Sequence, residues 1–141
     1  MRRYLLGVLV ASMGSLSCAT TPVRPSPPTV NASGVWTGTY TFATTVMNTQ
    51  MTNNSPMTLA LNQTDTSVTG TCDVKGSSQM KPFKESITGW ISGNVLSFTI
   101  LGGTEINLIV SDNNHMGGGT RGLRGGISMS LVRGQSEPFI R

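Results

Sequence analysis

The side chains that could perform catalysis or bind a metal are few in this sequence. His115 is the single histidine among 141 residues, and Asp and Glu together number six. His115 follows a turn, and no Cys, Asp or Glu is predicted to stand beside it at the spacing of a shared metal site or an acid–base pair. We therefore expect His115 to be structural or solvated, and we expect no metal, no cofactor and no enzyme activity.

Two other patterns match catalytic motifs only in part. Residues 117–122 form a glycine-rich run, GGGTRG, but the sequence lacks the G-K-[ST] signature and the helix that follow the glycines in a phosphate-binding loop. Serine occurs 16 times, yet never in the G-x-S-x-G pattern of a nucleophile elbow. These absences favour a binding or structural protein over an enzyme.

The first eighteen residues have the pattern of a secretion signal. Arg2 and Arg3 form a basic start, and an apolar run from Tyr4 to Leu16 follows. That run is shorter than the roughly 20 residues of a membrane-spanning helix, which predicts a signal peptide over residues 1–17. Residues 14–19, GSLSCA, resemble the lipobox of bacterial lipoproteins. The resemblance implies that Cys18 becomes a lipidated N-terminus, with palmitate among the acyl groups.

This resemblance implies a cell-envelope lipoprotein bound to a membrane by its lipid, with the outer membrane as the expected location. The alternative is ordinary cleavage after Ala19, which would release a periplasmic or secreted protein. If Cys18 carries lipid, Cys72 has no partner within the chain and is expected to be a small buried hydrophobe. The alternative without lipid is a disulfide between Cys18 and Cys72.

Charge is sparse in the mature chain. The full sequence has ten basic and six acidic residues, and removal of Arg2 and Arg3 with the signal leaves eight against six, a net charge of +2. Nucleic-acid binding needs a basic patch or stripe, so nucleic acid is excluded as a partner. The oligomeric state is left open.

Residues 18–33 contain four of the seven prolines, together with Ser and Thr. Such segments are extended and semi-rigid, so we expect a tether, or a plain disordered tail, before the folded domain. From residue 34 to residue 134 short runs alternate apolar and polar residues between turn-forming residues, which is the period-2 pattern of half-buried strands. Residues 135–141 are expected to be a C-terminal tail.

Eight such runs predict an all-β, eight-stranded antiparallel up-and-down barrel, since closure removes the edge strands. Tight turns are expected after the second, fourth and sixth strands, and longer loops at 43–56, 75–85 and 121–125. The predicted inward positions are Trp36, Gly38, Tyr40, Phe42, Met57, Leu59, Leu61, Val68, Gly70, Cys72, Val74, Ile87, Gly89, Ile91, Leu96, Phe98, Ile100, Ile106, Leu108, Val110, Met116, Gly118, Thr120, Ile127, Met129, Leu131 and Arg133.

Residues 34–36, Gly-Val-Trp, resemble the G-x-W motif that opens lipocalin-type barrels, and the Thr-Gly-Thr segments resemble small lipocalin-like or avidin-like domains. In that superfamily, the calycins, an Arg near the end of the last strand packs over the Trp. The resemblance spans residues 34–133. It implies that Trp36 and Arg133 form a structural pair, worth about 0.5–2 kcal/mol as a cation–π contact.

An eight-stranded barrel is just wide enough to be filled by side chains or to hold one small ligand. In the first case the protein is a non-catalytic structural or protein-interaction module that uses its outer surface, where Trp90 is expected to lie. In the second it binds a small apolar or amphipathic ligand beside Tyr40, Phe42, Phe98 and Ile100. A rim of Lys75, Lys81, Lys84, Arg121 and Arg124 would favour an anionic or amphipathic ligand, or would only keep the loops soluble.

Overall fold

The computed structural model describes residues 25–122 and 125–134, and the side chains of residues 25–120 and 125–134. The predicted signal peptide, Cys18, Arg124 and the C-terminal tail lie outside these residues, as does the side chain of Arg121. The elements are β1 (Gly34–Val46), β2 (Thr49–Thr64), β3 (Ser67–Val74), β4 (Phe83–Ser92), β5 (Val95–Ile100), β6 (Thr104–Asp112), β7 (His115–Gly122) and β8 (Gly125–Arg133). No helix in this part of the chain is long and apolar enough to cross a membrane.

The strands form one closed antiparallel barrel in the order of the sequence, which confirms the predicted fold class. Each strand pairs with the next, and β8 returns to pair with β1 from Trp36↔Arg133 to Thr44↔Gly125. Alternation of apolar and polar residues drives this arrangement, because every second side chain points to the same face of the sheet. The end of the barrel with the short β2–β3, β4–β5 and β6–β7 turns is called the closed end here, and the opposite end is called the mouth.

The prediction of a long loop over residues 43–56 was wrong. Those residues belong to β1 and β2, which pair continuously to Val46↔Thr49 and are joined by two residues, Met47 and Asn48. Both have positive φ, 48° and 63°, as a type I′ hairpin turn requires. Neither is glycine, so the turn lacks the usual glycine signal, whereas the Thr and Val that flank it favour strand. The predicted loop at 121–125 is also short, since β7 ends at Gly122 and β8 begins at Gly125.

The barrel interior is filled by side chains from all eight strands. The largest of those that are less than 2 % exposed are Trp36, Tyr40, Phe98, Leu59, Ile91, Leu96, Ile100, Ile106, Leu108, Leu131, Val68 and Val74. The inward glycines contribute close strand approach rather than space. A Cβ on Gly38 would collide with the Ser130 carbonyl oxygen, and one on Gly70 would collide with the Ala60 carbonyl oxygen.

Residues 25–33 run across the closed end and are called the strap. The Thr29 amide donates to the Gly93 carbonyl at 2.8 Å, and the Ala32 amide donates to Gln63 Oε1 at 2.7 Å. Ala32 is fully buried, and Val30 packs against the core. The second half of the segment that the sequence predicts as a tether is therefore bound to the barrel.

Candidate functional site

The closed end is sealed around Trp36 and Arg133. The Arg133 guanidinium lies over the Trp36 ring, 4.3 Å from its centroid. Its Nη2 donates to the Asn31 carbonyl at 2.7 Å, its Nη1 donates to the Ser33 carbonyl, and its Nε donates to the Asn113 carbonyl at 2.6 Å. The Trp36 indole N–H donates to the Ala32 carbonyl at 2.9 Å. The two predicted residues are therefore in contact, and the hydrogen bonds of both side chains all go to backbone oxygens.

The four residues predicted to bind a ligand lie in two different environments. Tyr40, Phe98 and Ile100 are 1 %, 1 % and 2 % exposed and belong to the packed core. Phe42 is 38 % exposed and lies on β1 beyond them, toward the mouth. Tyr40 meets Phe83 edge-to-face, with ring centroids 5.7 Å apart. Of the four, only Phe42 is exposed at the mouth, and Tyr40 lies two positions before it on the same face of β1.

The polar groups below the mouth are Tyr40, Cys72 and Glu85. Burial raises the pKa of Tyr40 to about 12, and the nearby Cys72 and Glu85 add to this effect. Burial, with Glu85 and Asp73, raises the pKa of the Cys72 thiol to about 12 as well. Glu85 lies directly opposite Cys72 in the β3–β4 register. One Glu85 carboxylate oxygen accepts the Leu101 amide at 2.8 Å.

Among the described residues, the Tyr40 hydroxyl has no hydrogen-bond partner. The Tyr40 side chain as a whole is 1 % exposed, so its hydroxyl lies at the inner boundary of the mouth and not on the open surface. Cys72 is a free cysteine and is fully buried, as the sequence predicts for an unpartnered thiol. The low acidity of both groups makes neither a nucleophile at neutral pH.

Residues 42–53 are called the hairpin arm; its β2 side extends past β3, and its β1 side extends past β8 from Thr45 onward. β3 pairs with β2 only from Met57 onward, and β8 pairs with β1 only as far as Thr44. Three apolar side chains of the arm share the inward parity of Trp36 and Tyr40 and are exposed, namely Phe42 (38 %), Val46 (49 %) and Met51 (43 %). Met47 at the tip is 96 % exposed. The arm contains no Lys, Arg, Asp or Glu.

Three of the five residues of the predicted basic rim, Lys75, Lys81 and Lys84, have described side chains. Lys75 Nζ lies 2.9 Å from an Asp73 carboxylate oxygen, and Lys84 stands opposite Asp73 in the β3–β4 register. Lys81 is exposed. In the described part of the rim, charge is thus partly neutralised and directed to solvent.

His115 does have an acidic neighbour, which corrects the prediction. Its Nδ1 lies 2.9 Å from an Asp112 carboxylate oxygen across the β6–β7 turn. The Asn114 amide donates to the same carboxylate at 2.7 Å, and these two contacts, the Asn114 bond first, lower the pKa of Asp112. Both side chains are more than half exposed. No group of three or more His, Cys, Asp or Glu within the described residues could hold a metal ion.

Two surface concavities lie beside β1, β7 and β8, and the first of them also reaches the hairpin arm. One, of about 490 Å³, is lined by Ala43, Thr44, Thr45, Gln50, Thr120, Gly125, Gly126, Ile127 and Ser128. The other, of about 540 Å³, is lined by Thr41, Gly118, Gly119, Thr120, Ile127, Ser128, Met129 and Ser130. Most of these residues are small or hydroxylated, and Ile127 and Met129 are the large apolar side chains among them. Trp90 is 49 % exposed on the outer face, between Ser67 and Ser97 of the adjacent strands.

No protein-family model matches the chain, and no curated protein matches its sequence. The closed eight-stranded barrel is compatible with a calycin-like fold. The finer lipocalin-like or avidin-like resemblance rests on short sequence motifs, namely Gly34–Trp36, Arg133 and the Thr-Gly-Thr segments.

Proposed function

We propose that this chain is a non-catalytic interaction module of the bacterial cell envelope, anchored by lipid on Cys18, which presents the hairpin arm to a protein partner. The observation that carries the proposal is the contrast between a filled interior and an exposed arm. The interior positions are occupied by large buried side chains from all eight strands, whereas Phe42, Val46 and Met51 are exposed on one face. Apolar side chains exposed together on an uncharged element are typical of a binding surface.

The path of the chain supports this arrangement. The strap lies at the closed end, and β1 runs from there to the arm at the mouth. Residues 19–24 lie between Cys18 and the strap, and the seven residue steps from Cys18 to residue 25 span at most about 25 Å when fully extended. A tether of this length keeps the closed end toward the membrane and directs the arm away from it.

Photo-crosslinking in intact cells tests the proposal. A benzophenone amino acid replaces Met47 at the arm tip, and in a matched control it replaces Thr69, which is exposed on the outer face of β3. We expect a discrete protein adduct from position 47 and none from position 69. The adduct should be lost in a Val46→Ser, Met51→Ser variant with an unchanged melting temperature. Equal labelling at both positions, or none at position 47, would overturn the proposal.

A second candidate is binding of a small amphipathic ligand at the mouth, on the arm side of Tyr40. The exposed Phe42 favours this function, because an apolar body can cover its ring, and the buried Tyr40 hydroxyl two positions before it has no hydrogen-bond partner among the described residues. Native mass spectrometry of the protein extracted from membranes in mild detergent distinguishes the two. A discrete non-covalent mass that is lost in Tyr40→Phe supports the ligand, and an unliganded wild type contradicts it.

A further inference from the structure

One edge of β2 is without a strand partner along the hairpin arm. The last bond between β2 and the segment after β3 is from the Lys75 amide to the Pro56 carbonyl, at 2.9 Å. Beyond it, Thr49–Ser55 pair only with β1 in the described structure. The Ser55 hydroxyl donates to the Gly76 carbonyl at 3.0 Å and holds the base of the arm.

Strand geometry determines which groups point to this edge. Successive residues of a strand direct their N–H and C=O groups to opposite sides. Because the Pro56 carbonyl points toward β3, the backbone groups of Gln50, Thr52 and Asn54 point the same way, and those of Met51 and Asn53 point to β1. The free edge therefore presents three N–H and three C=O groups in a row.

The arm lacks the features with which proteins protect such an edge. Charged side chains, prolines and bulges usually prevent an edge strand from pairing with another chain. The arm has no charged side chain and no proline. The pairing between its two strands has no bulge from Val46↔Thr49 to Phe42↔Asn53. The nearest proline, Pro56, lies at the base, where the edge is already bonded.

We propose that a second copy of this chain occupies this edge, with β2 antiparallel to β2 about a two-fold axis at Thr52. The inference rests on the proposed function, for which it names the partner. Thr52 then lies opposite Thr52 of the second copy, and Gln50 lies opposite Asn54. The backbone N–H and C=O groups of all three positions point to the free edge, so about six inter-chain hydrogen bonds form.

Self-pairing suits this edge because its side chains complement themselves. An isologous interface needs one patch to match a rotated copy of itself. Cross-strand Thr–Thr pairs hydrogen-bond, and Gln and Asn amides can both donate and accept, while no like charges oppose one another. The two arms would also form one four-stranded sheet, on one face of which Phe42, Val46 and Met51 of both copies meet. A neutral patch that repeats itself in this way favours a second copy over a charged peptide.

Disulfide crosslinking in intact cells tests the register. In the proposed dimer the Cβ atoms at position 52 lie about 4.5–5.5 Å apart, which a disulfide can bridge with little adjustment. We expect Thr52→Cys to give a disulfide-linked dimer under mild oxidation. Asn54→Cys is the matched control, since it lies on the same edge but about 13 Å from its own copy. The double variant Gln50→Cys, Asn54→Cys should crosslink again, and the wild type shows any contribution from Cys18.

Sedimentation of the detergent-extracted protein gives an independent measurement. Thr52→Pro removes an N–H from the free edge and leaves pairing with β1 intact, whereas Thr52→Val keeps that N–H. We expect the dimer dissociation constant to rise at least ten-fold in Thr52→Pro and to stay unchanged in Thr52→Val, with equal melting temperatures in the two variants. Absence of a Thr52→Cys dimer, or equal crosslinking by Asn54→Cys alone, would overturn the inference. If photo-crosslinking from position 47 still gave an adduct with a different protein, the proposed function would stand although the self-pairing inference had failed.

Discussion

The Arg133 guanidinium lies 4.3 Å from the centroid of the Trp36 ring and is bonded to three backbone carbonyls at the same time. Those carbonyls belong to the strap, at Asn31 and Ser33, and to the β6–β7 turn, at Asn113. One side chain therefore joins the last strand, the first strand, the strap and a turn. Loss of that side chain should weaken the closed end as a whole.

Arg133→Ala is expected to lower the free energy of unfolding by about 2–4 kcal/mol, from the lost cation–π contact and hydrogen bonds. Arg133→Lys keeps the positive charge but lacks the planar guanidinium, so its free energy of unfolding should lie between those of the wild type and Arg133→Ala. Urea denaturation monitored by Trp fluorescence measures both variants. An Arg133→Ala midpoint equal to that of the wild type would show that this contact contributes nothing to stability.

Gly38→Ala should destabilise the barrel although alanine is small and apolar. Its Cβ would collide with the Ser130 carbonyl oxygen, which is backbone and can move only if β8 moves. We expect a loss of about 3 kcal/mol, at the upper end for overpacking. Gly117→Ala is the control, because its Cβ would lie 3.3 Å from the Met129 carbonyl oxygen and needs only a small adjustment. Similar thermal midpoints for the two variants would contradict the close strand approach at Gly38.

Stability should fall in alkaline solution through Cys72 and Tyr40. Burial raises the pKa of each to about 12, from ordinary values of 9.0 and 10.0. Above pH 9 the unfolded chain loses these protons while the folded chain keeps them, so the stabilisation that is complete below pH 9 is lost between about pH 9 and pH 12. Urea midpoints measured from pH 7 to pH 11 should decline, and less steeply in Tyr40→Phe and Cys72→Ala. If the urea midpoints of both variants declined with pH as steeply as those of the wild type, this assignment would be refuted.

The lipid anchor has a direct test in the mass of the intact protein. We expect membrane-extracted wild type to begin at Cys18 and to carry acyl groups, and we expect Cys18→Ala to lack them and to leave the membrane fraction. A single acyl chain binds membranes only weakly, so stable anchoring needs more than one. A wild type that begins at Thr20 without acyl mass would show that cleavage follows Ala19.

The extent of each strand could be predicted only in part. The pattern around Trp36 and Tyr40 is sufficient for β1, because inward and outward faces alternate within one short segment. Met47 and Asn48 carry no glycine signal for a turn, so the paired arm on both sides of them was predicted as a loop. Asp112 and His115 were missed as neighbours for a related reason, since their contact depends on the shape of one turn.

The sequence by itself determined the eight strands and their faces, because alternation is local, and its resemblance to lipocalin-type barrels implied the pairing of Trp36 with Arg133. Whether the barrel is hollow was decided by the tertiary structure, since Gly38 and Gly70 leave space only if the neighbouring backbone stays away. The docking of the strap was decided there as well, since Asn31 and Arg133 are 102 residues apart. So was the free edge of β2, because a strand edge is open only where a neighbouring strand ends first, and that depends on the register of three strands together.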